Sequence, residues 1–119
     1  MSNGGEGMIE TTTREYLAGL LSVPVYVASP ARTEGSYVTI EKTENTRYCY
    51  VEETVLSIVS WADSPYEAAL LNDEVKKHML LIADNEKTVS SCELNSDYYF
   101  SDTTLKKYGY QALFAVCHV

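Results

Sequence analysis

The spacing of hydrophobic positions changes period several times along this chain, and each change marks an element. Over residues 9–21, Ile9, Thr13, Tyr16, Leu17, Leu20 and Leu21 recur at helical spacing. Glu10, Arg14 and Glu15 take the other face, which predicts a short amphipathic helix. Glu10 and Arg14 stand four apart, as a favourable ion pair requires. Ser22-Val23-Pro24 ends the helix, because the residue before a proline is pushed out of the helical region. Val23, Val25 and Val27 then alternate as a first strand, which Pro24 assigns to a sheet edge. A loop over residues 29–35 leads to a second strand, 37–42, with Val38 and Ile40 on one face. Residues 43–46 read as a turn, and 47–61 as a long third strand. At the centre of that strand, Val55-Leu56-Ser57-Ile58-Val59 is almost continuously apolar, the pattern of a strand covered on both faces.

A well-marked helix start follows. Ser64 is a good N-cap, Pro65 occupies the first helical position, and Glu67 completes a Ser-x-x-Glu capping box. The helix is expected to run to about Ala83. Ala68, Leu71, Val75, Met79 and Ile82 form its inner stripe, and Glu74 and His78 form an i,i+4 pair on another face. Residues 84–87 read as a turn. From Val89 to Ser101 the pattern has period two. Residues 101–104 have turn chemistry, and residues 105–119 return as a strand with Tyr108, Tyr110, Ala112, Phe114 and Val116 on one side. The expected order is α-β-β-β-α-β-β. That is an α+β fold, a mostly antiparallel sheet of about five strands with one long helix on a face and a short N-terminal helix.

The segment 93–111 stands out as a tyrosine-rich, acidic β-hairpin arm. Its alternation directs Leu94, Tyr98 and Phe100 toward the domain and Glu93, Asn95, Asp97 and Tyr99 outward. The outward set, with Asp102 near the tip, is the candidate protein interface. The chain has ten tyrosines against one Trp and two Phe. Tyrosine, apolar in body and polar at its tip, suits half-wet interfaces, and it is also simply a good strand former.

Length and composition narrow the functional classes. The 119 residues make one domain over 9–119, preceded by a polar, glycine-rich segment over 1–8 expected to be disordered, with Met8 an alternative start. Nine basic residues against seventeen acidic ones, a net charge of −8, do not make a large duplex-binding surface. Lys76-Lys77 and Lys106-Lys107 leave room only for a local basic patch. The three cysteines, Cys49, Cys92 and Cys117, are odd in number and widely spaced, which argues against a disulfide framework or zinc site and for a reducing cytoplasm. Neither a signal peptide nor an apolar run long enough to span a membrane is present.

Chemistry-bearing motifs are sparse. There is no phosphate-binding glycine loop and no His-Glu-x-x-His. Cys117 and His118, like Glu52 and Glu53, are adjacent on strands and therefore point to opposite faces, where they make neither a dyad nor an acid–base pair. Asn95, Asp97 and Asp102 offer too few oxygens for Ca²⁺, which takes about six to eight. Tyrosine pairs can stack single-stranded bases, but the positive groove of such binders is missing. No catalytic residue, cofactor or metal is expected.

Three features resemble the tail-completion or tail-terminator (head–tail joining) proteins of tailed bacteriophages and prophages. They are the Tyr37-Val38-Thr39-Ile40 strand after a proline-bearing loop, the Ser60-Trp61-Ala62-Asp63-Ser64 strand end followed by the Tyr66-Glu67-Ala68-Ala69-Leu70-Leu71-Asn72 helix, and the 93–111 arm. Together they cover roughly residues 9–119. The resemblance implies a sheet with one long helix packed on it, and a homo-oligomeric ring, typically hexameric. Such a ring caps the tail tube and joins it to the head connector in the virion, after assembly in the bacterial cytoplasm. It implies no catalytic residues. The implied partners are further copies of the chain, the tail-tube protein and the connector protein, with no sequence-specific nucleic acid and no membrane. An acidic balance suits a lumen through which DNA slides without sticking. A head-side stopper or adaptor of the same machine, or a small acidic prophage protein that binds and inhibits a host protein, are the other readings.

Overall fold

A computed structural model describes residues 8–28, 34–102 and 107–119. Its elements are α1 (Met8–Ala18), β1 (Val25–Val27), β2 (Tyr37–Tyr48), β3 (Val51–Ala62), α2 (Pro65–Met79), a one-turn α3 (Ile82–Asn85), β4 (Val89–Asp102) and β5 (Lys107–His118). The five strands form one sheet in the order β1-β2-β3-β5-β4, parallel between β1 and β2 and antiparallel elsewhere. The expected α+β architecture is thus present, with β1 at an edge as Pro24 predicts. Of the segment expected to be disordered, residues 1–7 lie outside the described residues, and Met8 opens α1.

The alternation of β5 builds the core. Ala112, Phe114 and Val116 point to one side and are fully buried. Residues directly opposite in an antiparallel ladder share a face. The β3–β5 register places Ile58 beside Ala112, Leu56 beside Phe114 and Thr54 beside Val116. Val75 and Met79 of α2, Ile9 and Leu17 of α1, and Ile82 of α3 join these side chains in a single buried cluster. Burying each large side chain contributes about 1.5–3 kcal/mol, so one layer of helices on one sheet face supplies most of the stability.

The helix ends follow local rules. The Glu67 amide donates to Ser64 Oγ at 3.2 Å, and Pro65 occupies the first turn. Lys76, Lys77 and His78 in the last turn suit the negative end of the helix. The helix stops at Met79 rather than near Ala83, and the turn at Leu80–Leu81 re-aims Ile82 into the core. Asp84 and Asn85, expected in a turn, belong to α3. α1 ends at Ala18, three residues before the expected end, and Gly19 follows in the turn. Arg14 donates to the Val25 carbonyl at 3.4 Å, tying α1 to β1.

Two expectations about strands are corrected. Residues 43–46 are not a turn: β2 continues to Tyr48, and the reversal is the two-residue loop Cys49-Tyr50. Thr43 forms a bulge where the register shifts between Lys42 and Glu44. None of the described helices lies under this stretch, and its residues are polar on both faces and lack the alternation that marks a strand. The 93–111 segment is not a free arm either. β5 is an interior strand, paired with β3 from Tyr108 to His118, and β4 is the edge. Residues 103–106 of the expected tip lie outside the described residues, as do 29–33 of the expected loop.

Cys49 carries φ 57°, a left-handed conformation that costs a non-glycine residue about 1–2 kcal/mol and that asparagine tolerates better. The thiol is exposed. Cys49→Asn is therefore expected to stabilise the fold by about 0.5–1 kcal/mol in urea denaturation. An unchanged or lower midpoint would show that the turn is not strained.

Candidate interaction surface

The proposed interface residues fall on two faces rather than one. Between Leu94 and Ser96 the β4–β5 register shifts, leaving Asn95 as an exposed bulge. A bulge adds one residue and reverses the phase of everything beyond it. Before it, Glu93 lies beside Ala115 on the helix-free face, exposed, and Leu94 packs toward the core. After it, Asp97 and Tyr99 turn to the helix side, opposite Ala112 and Tyr110. Tyr98, expected to point inward, stands on the helix-free face and donates to Gln111 Oε1 at 2.6 Å. Asp102 pairs with Lys107 through its backbone, and the side chains of Phe100 and Asp102 lie outside the described residues.

Asp97 seals the seam between β4 and α2. Its Oδ2 accepts from Lys76 Nζ at 2.8 Å and from Asn72 Nδ2 at 3.1 Å. Asn72 is a polar residue fully inside the α2 stripe, which helical spacing alone assigned to apolar side chains. The Lys76 hydrogen bond, then that of Asn72, holds the Asp97 carboxyl below its ordinary range, and Asp97 in turn raises Lys76. Asp73 adds a longer contact to Lys76 at 3.6 Å. A strand-edge carboxylate is thus a structural clamp between β4 and α2.

The far end of the sheet holds a second polar network. Arg47 donates to Glu52 at 2.7 Å, Asn45 donates to the other oxygen of Glu52 at 3.1 Å, and Thr54 donates to Asn45 Oδ1. His118 Nε2 lies 2.8 Å from Thr54 Oγ1. Thr54 has one hydrogen, used on Asn45, so His118 Nε2 is the donor in that contact. His118 is thereby a buried structural group. Arg47, then Asn45, lowers the Glu52 carboxyl from its ordinary range.

Beyond this network the β2–β3 hairpin carries the most exposed large side chains of the described residues. Tyr48 is 79% and Tyr50 92% exposed, with Val51 beside them at 41%. Register pairs β1 with β2 only from Val38 to Ile40. Residues 41–48 consequently form an open strand edge, exposed throughout. Thr43 bulges there, and Glu41, Lys42, Glu44 and Arg47 place charges along it, which resists indiscriminate strand pairing.

The helix-free face is ordered by its own contacts. Tyr37 stacks on Trp61 with centroids 6.1 Å apart and meets Tyr26 edge-on. Trp61 Nε1 donates to Thr39 Oγ1 at 3.2 Å. Gly109 gives the Trp61 ring its place, since a Cβ there would come within 3.3 Å of two ring carbons. Lys107 Nζ donates to Gly35 O at 2.6 Å and Asp63 Oδ1 at 2.7 Å, and sits 5.8 Å from the Tyr37 ring centroid.

On the other side, a groove of about 360 Å³ lies between α1 and the α2–α3 turn, lined by Tyr16, Leu20, His78, Leu81 and Asn85. Tyr16 donates to the His78 carbonyl at 2.7 Å, and burial raises its phenol above the ordinary value. Burial also pushes the Cys92 thiol up to about 12, while Cys117 lies on the opposite face. Among the described residues, no three His, Cys, Asp or Glu side chains are grouped to hold a metal ion, and no helix is long and apolar enough to cross a membrane.

No protein-family model matches this chain, and comparison with curated proteins finds no match.

Removing Asp97 leaves a half-buried ammonium and a buried amide without their acceptor. Asp97→Ala is expected to cost about 1–3 kcal/mol at neutral pH in chemical denaturation. Because the Asp97 pKa is lowered by folding, its contribution is complete above the ordinary carboxylate range. It should fade as pH falls below about 4, so the two proteins converge in acid. Lys76 is raised, so its share persists below the ordinary lysine value of about 10.4 and is lost as pH rises through the raised one. A stability gap independent of pH between 2 and 7 would contradict the clamp.

Proposed function

We propose that this protein is a structural assembly protein of a tailed bacteriophage or prophage, copies of which join in a ring that caps the tail tube and meets the head connector. The strand, helix-junction and 93–111 features described above support the family part of this reading. The observation that carries the self-association part is the open β2 edge with its hairpin tip. Over residues 41–48 the alternate backbone groups that turn away from β3 have no described strand beside them, and Tyr48 and Tyr50 stand almost wholly in solvent. Such residues contribute little to their own chain, and tyrosine is a preferred side chain at protein interfaces. The second open edge, β4, is at the opposite side of the sheet. Contacts between unlike edges are head-to-tail, and head-to-tail contacts form a ring when the rotation between copies closes and an open filament when it does not.

Glu93 and Asn95 stay near that β4 edge as interface candidates, and Tyr99 with them at 43% exposure, whereas Asp97 acts from within the seam. The head-side stopper would use the same edges. The host-protein inhibitor is favoured by a different observation, the acidic helix-free face.

Mass by light scattering over a concentration series, with and without tail-tube protein, tests the reading. Mass should rise to a defined multiple of the monomer, alone or when tube protein is added, and Tyr48→Ser with Tyr50→Ser should abolish the rise without unfolding the chain. A strict monomer at high concentration that also ignores tube protein would overturn it.

A further inference from the structure

The apolar run at 55–59 reads as a strand covered on both faces, yet all the described helices pack on one. Leu56 and Ile58 face them, while Val55 and Val59 lie on the other side, where no described helix packs. Across β5, Leu113 and Ala115 continue the same strip, and Trp61 bounds one end. All five are only half-buried. In a sheet with one solvated face the outward positions are normally polar. Here Val55, Val59 and Trp61 of β3 and Leu113 and Ala115 of β5 occupy outward positions, and the polar pair among them, Ser57 and Gln111, is closed on itself by the hydrogen bond that Gln111 Nε2 donates to Ser57 Oγ at 2.6 Å.

The rim of this face is acidic. Register places Glu41 beside Ser57, Glu44 beside Val55 and Glu53 beside Cys117, all on the helix-free face, and Glu93 beside Ala115 on the other flank. All four carboxylates are exposed. The described cations lie elsewhere: Arg14 on α1, Lys76 and Lys77 on α2, Lys42 and Arg47 on the helix-side phase of β2, and Lys87 in the turn before β4. Among the described residues Lys107 alone belongs to this face by register, and it is 8% exposed with its ammonium held by Asp63 and Gly35.

We infer that the helix-free face is a docking site for a cationic amphipathic helix of a partner protein, the counterpart of α2 on the opposite side. Charge decides between occupants. A second copy stacked face to face would bring two sets of carboxylates together, and nucleic acid or an anionic membrane would meet the same repulsion. A basic partner is attracted by the carboxylates and buries the strip. Dimensions agree. Three strand intervals separate β2 from β4, about 14 Å, which admits a helix about 10–12 Å wide. The ten-residue rise from Val51 to Trp61 gives about 33 Å of length. The inference does not depend on whether copies join in a ring.

Trp61 is the only tryptophan and borders the strip, so its emission reports occupancy directly. The probe is a tryptophan-free synthetic helix of about 18 residues, roughly 27 Å long, with leucines along one face and lysines along the other. Titrating it into the full chain should move Trp61 emission to shorter wavelength and saturate at one peptide per chain. Added salt should weaken the binding, and a glutamate-for-lysine peptide should fail to bind. The triple change Glu41→Gln, Glu44→Gln and Glu93→Gln touches only exposed side chains and should weaken binding about tenfold, as should Leu113→Ser once circular dichroism shows it folded. Glu15→Gln with Glu74→Gln, exposed carboxylates on the helices, should leave affinity unchanged. An unmoved Trp61 spectrum, equal binding by the acidic peptide, or equal weakening by the helix-side pair would overturn the inference. So would a peptide-free dimer at neutral pH that Leu113→Ser dissolves, which would make the occupant a second copy.

Discussion

The antiparallel register between β3 and β5 is the constraint on which the rest of this structure depends. It sets Leu56 against Phe114 and Ile58 against Ala112, and so makes the apolar floor on which α2 lies. A slip of one residue would exchange the two faces of a strand. The alternation of β5 opposes such a slip, because Ala112, Phe114 and Val116 are fully buried while their neighbours are only half-buried. Lys107 pins one end of the strand to Asp63 and Gly35, and His118 pins the other through Thr54. The edges are secondary to this pair: β4 is fastened by Asp97 to α2, and the open half of β2 has only β3 beside it.

Much of this was legible in the residues because the signals are local. The Ser64-Pro65-x-Glu67 start, the helical stripe of Ala68, Val75 and Met79, and the period of β5 each state their environment within a few positions. The bulges were not legible. Nothing in the spacing of Leu94, Asn95 and Ser96 says that one residue will go unpaired, yet that residue decides whether Asp97 and Tyr98 face solvent or helix. The strand pairing at 43–46 was missed for a related reason. Its pairing comes from β3, while its side chains meet no core and therefore show no alternation. Asn72 was hidden because its partner, Asp97, is 25 residues away. Local pattern reports burial well, but it reports pairing partners only when both strands are buried in the same way.

The same limit explains why the reading of 55–59 needed the structure. Continuous apolar sequence says that both faces of β3 avoid water, but it does not say what covers each. Intramolecular packing accounts for Leu56 and Ile58. Among the described residues Val55 and Val59 have their neighbours in the sheet, Leu113 and Ala115 among them, and a fold selected for solubility alone gains nothing from placing them outward. At 25 cal/mol per Å², approximately, even a few hundred Å² of such surface is worth several kcal/mol to whatever covers it.

The two uncovered surfaces lie in different directions, and this geometry lets them work together. Association through the β2 edge and the Tyr48–Tyr50 tip extends the sheet in its own plane. Docking on the strip at Val55, Val59 and Leu113 is perpendicular to that plane. A neighbour at the edge leaves the face open, and an occupant of the face leaves the β2 backbone groups free. Only at the hairpin end do the surfaces approach, because Tyr48 pairs with Val51 on the same side as the strip. In the proposed assembly the carboxylates on the face would also serve the edge contact: by opposing face-to-face stacking of copies, they would leave edge-on association as the route open to identical chains.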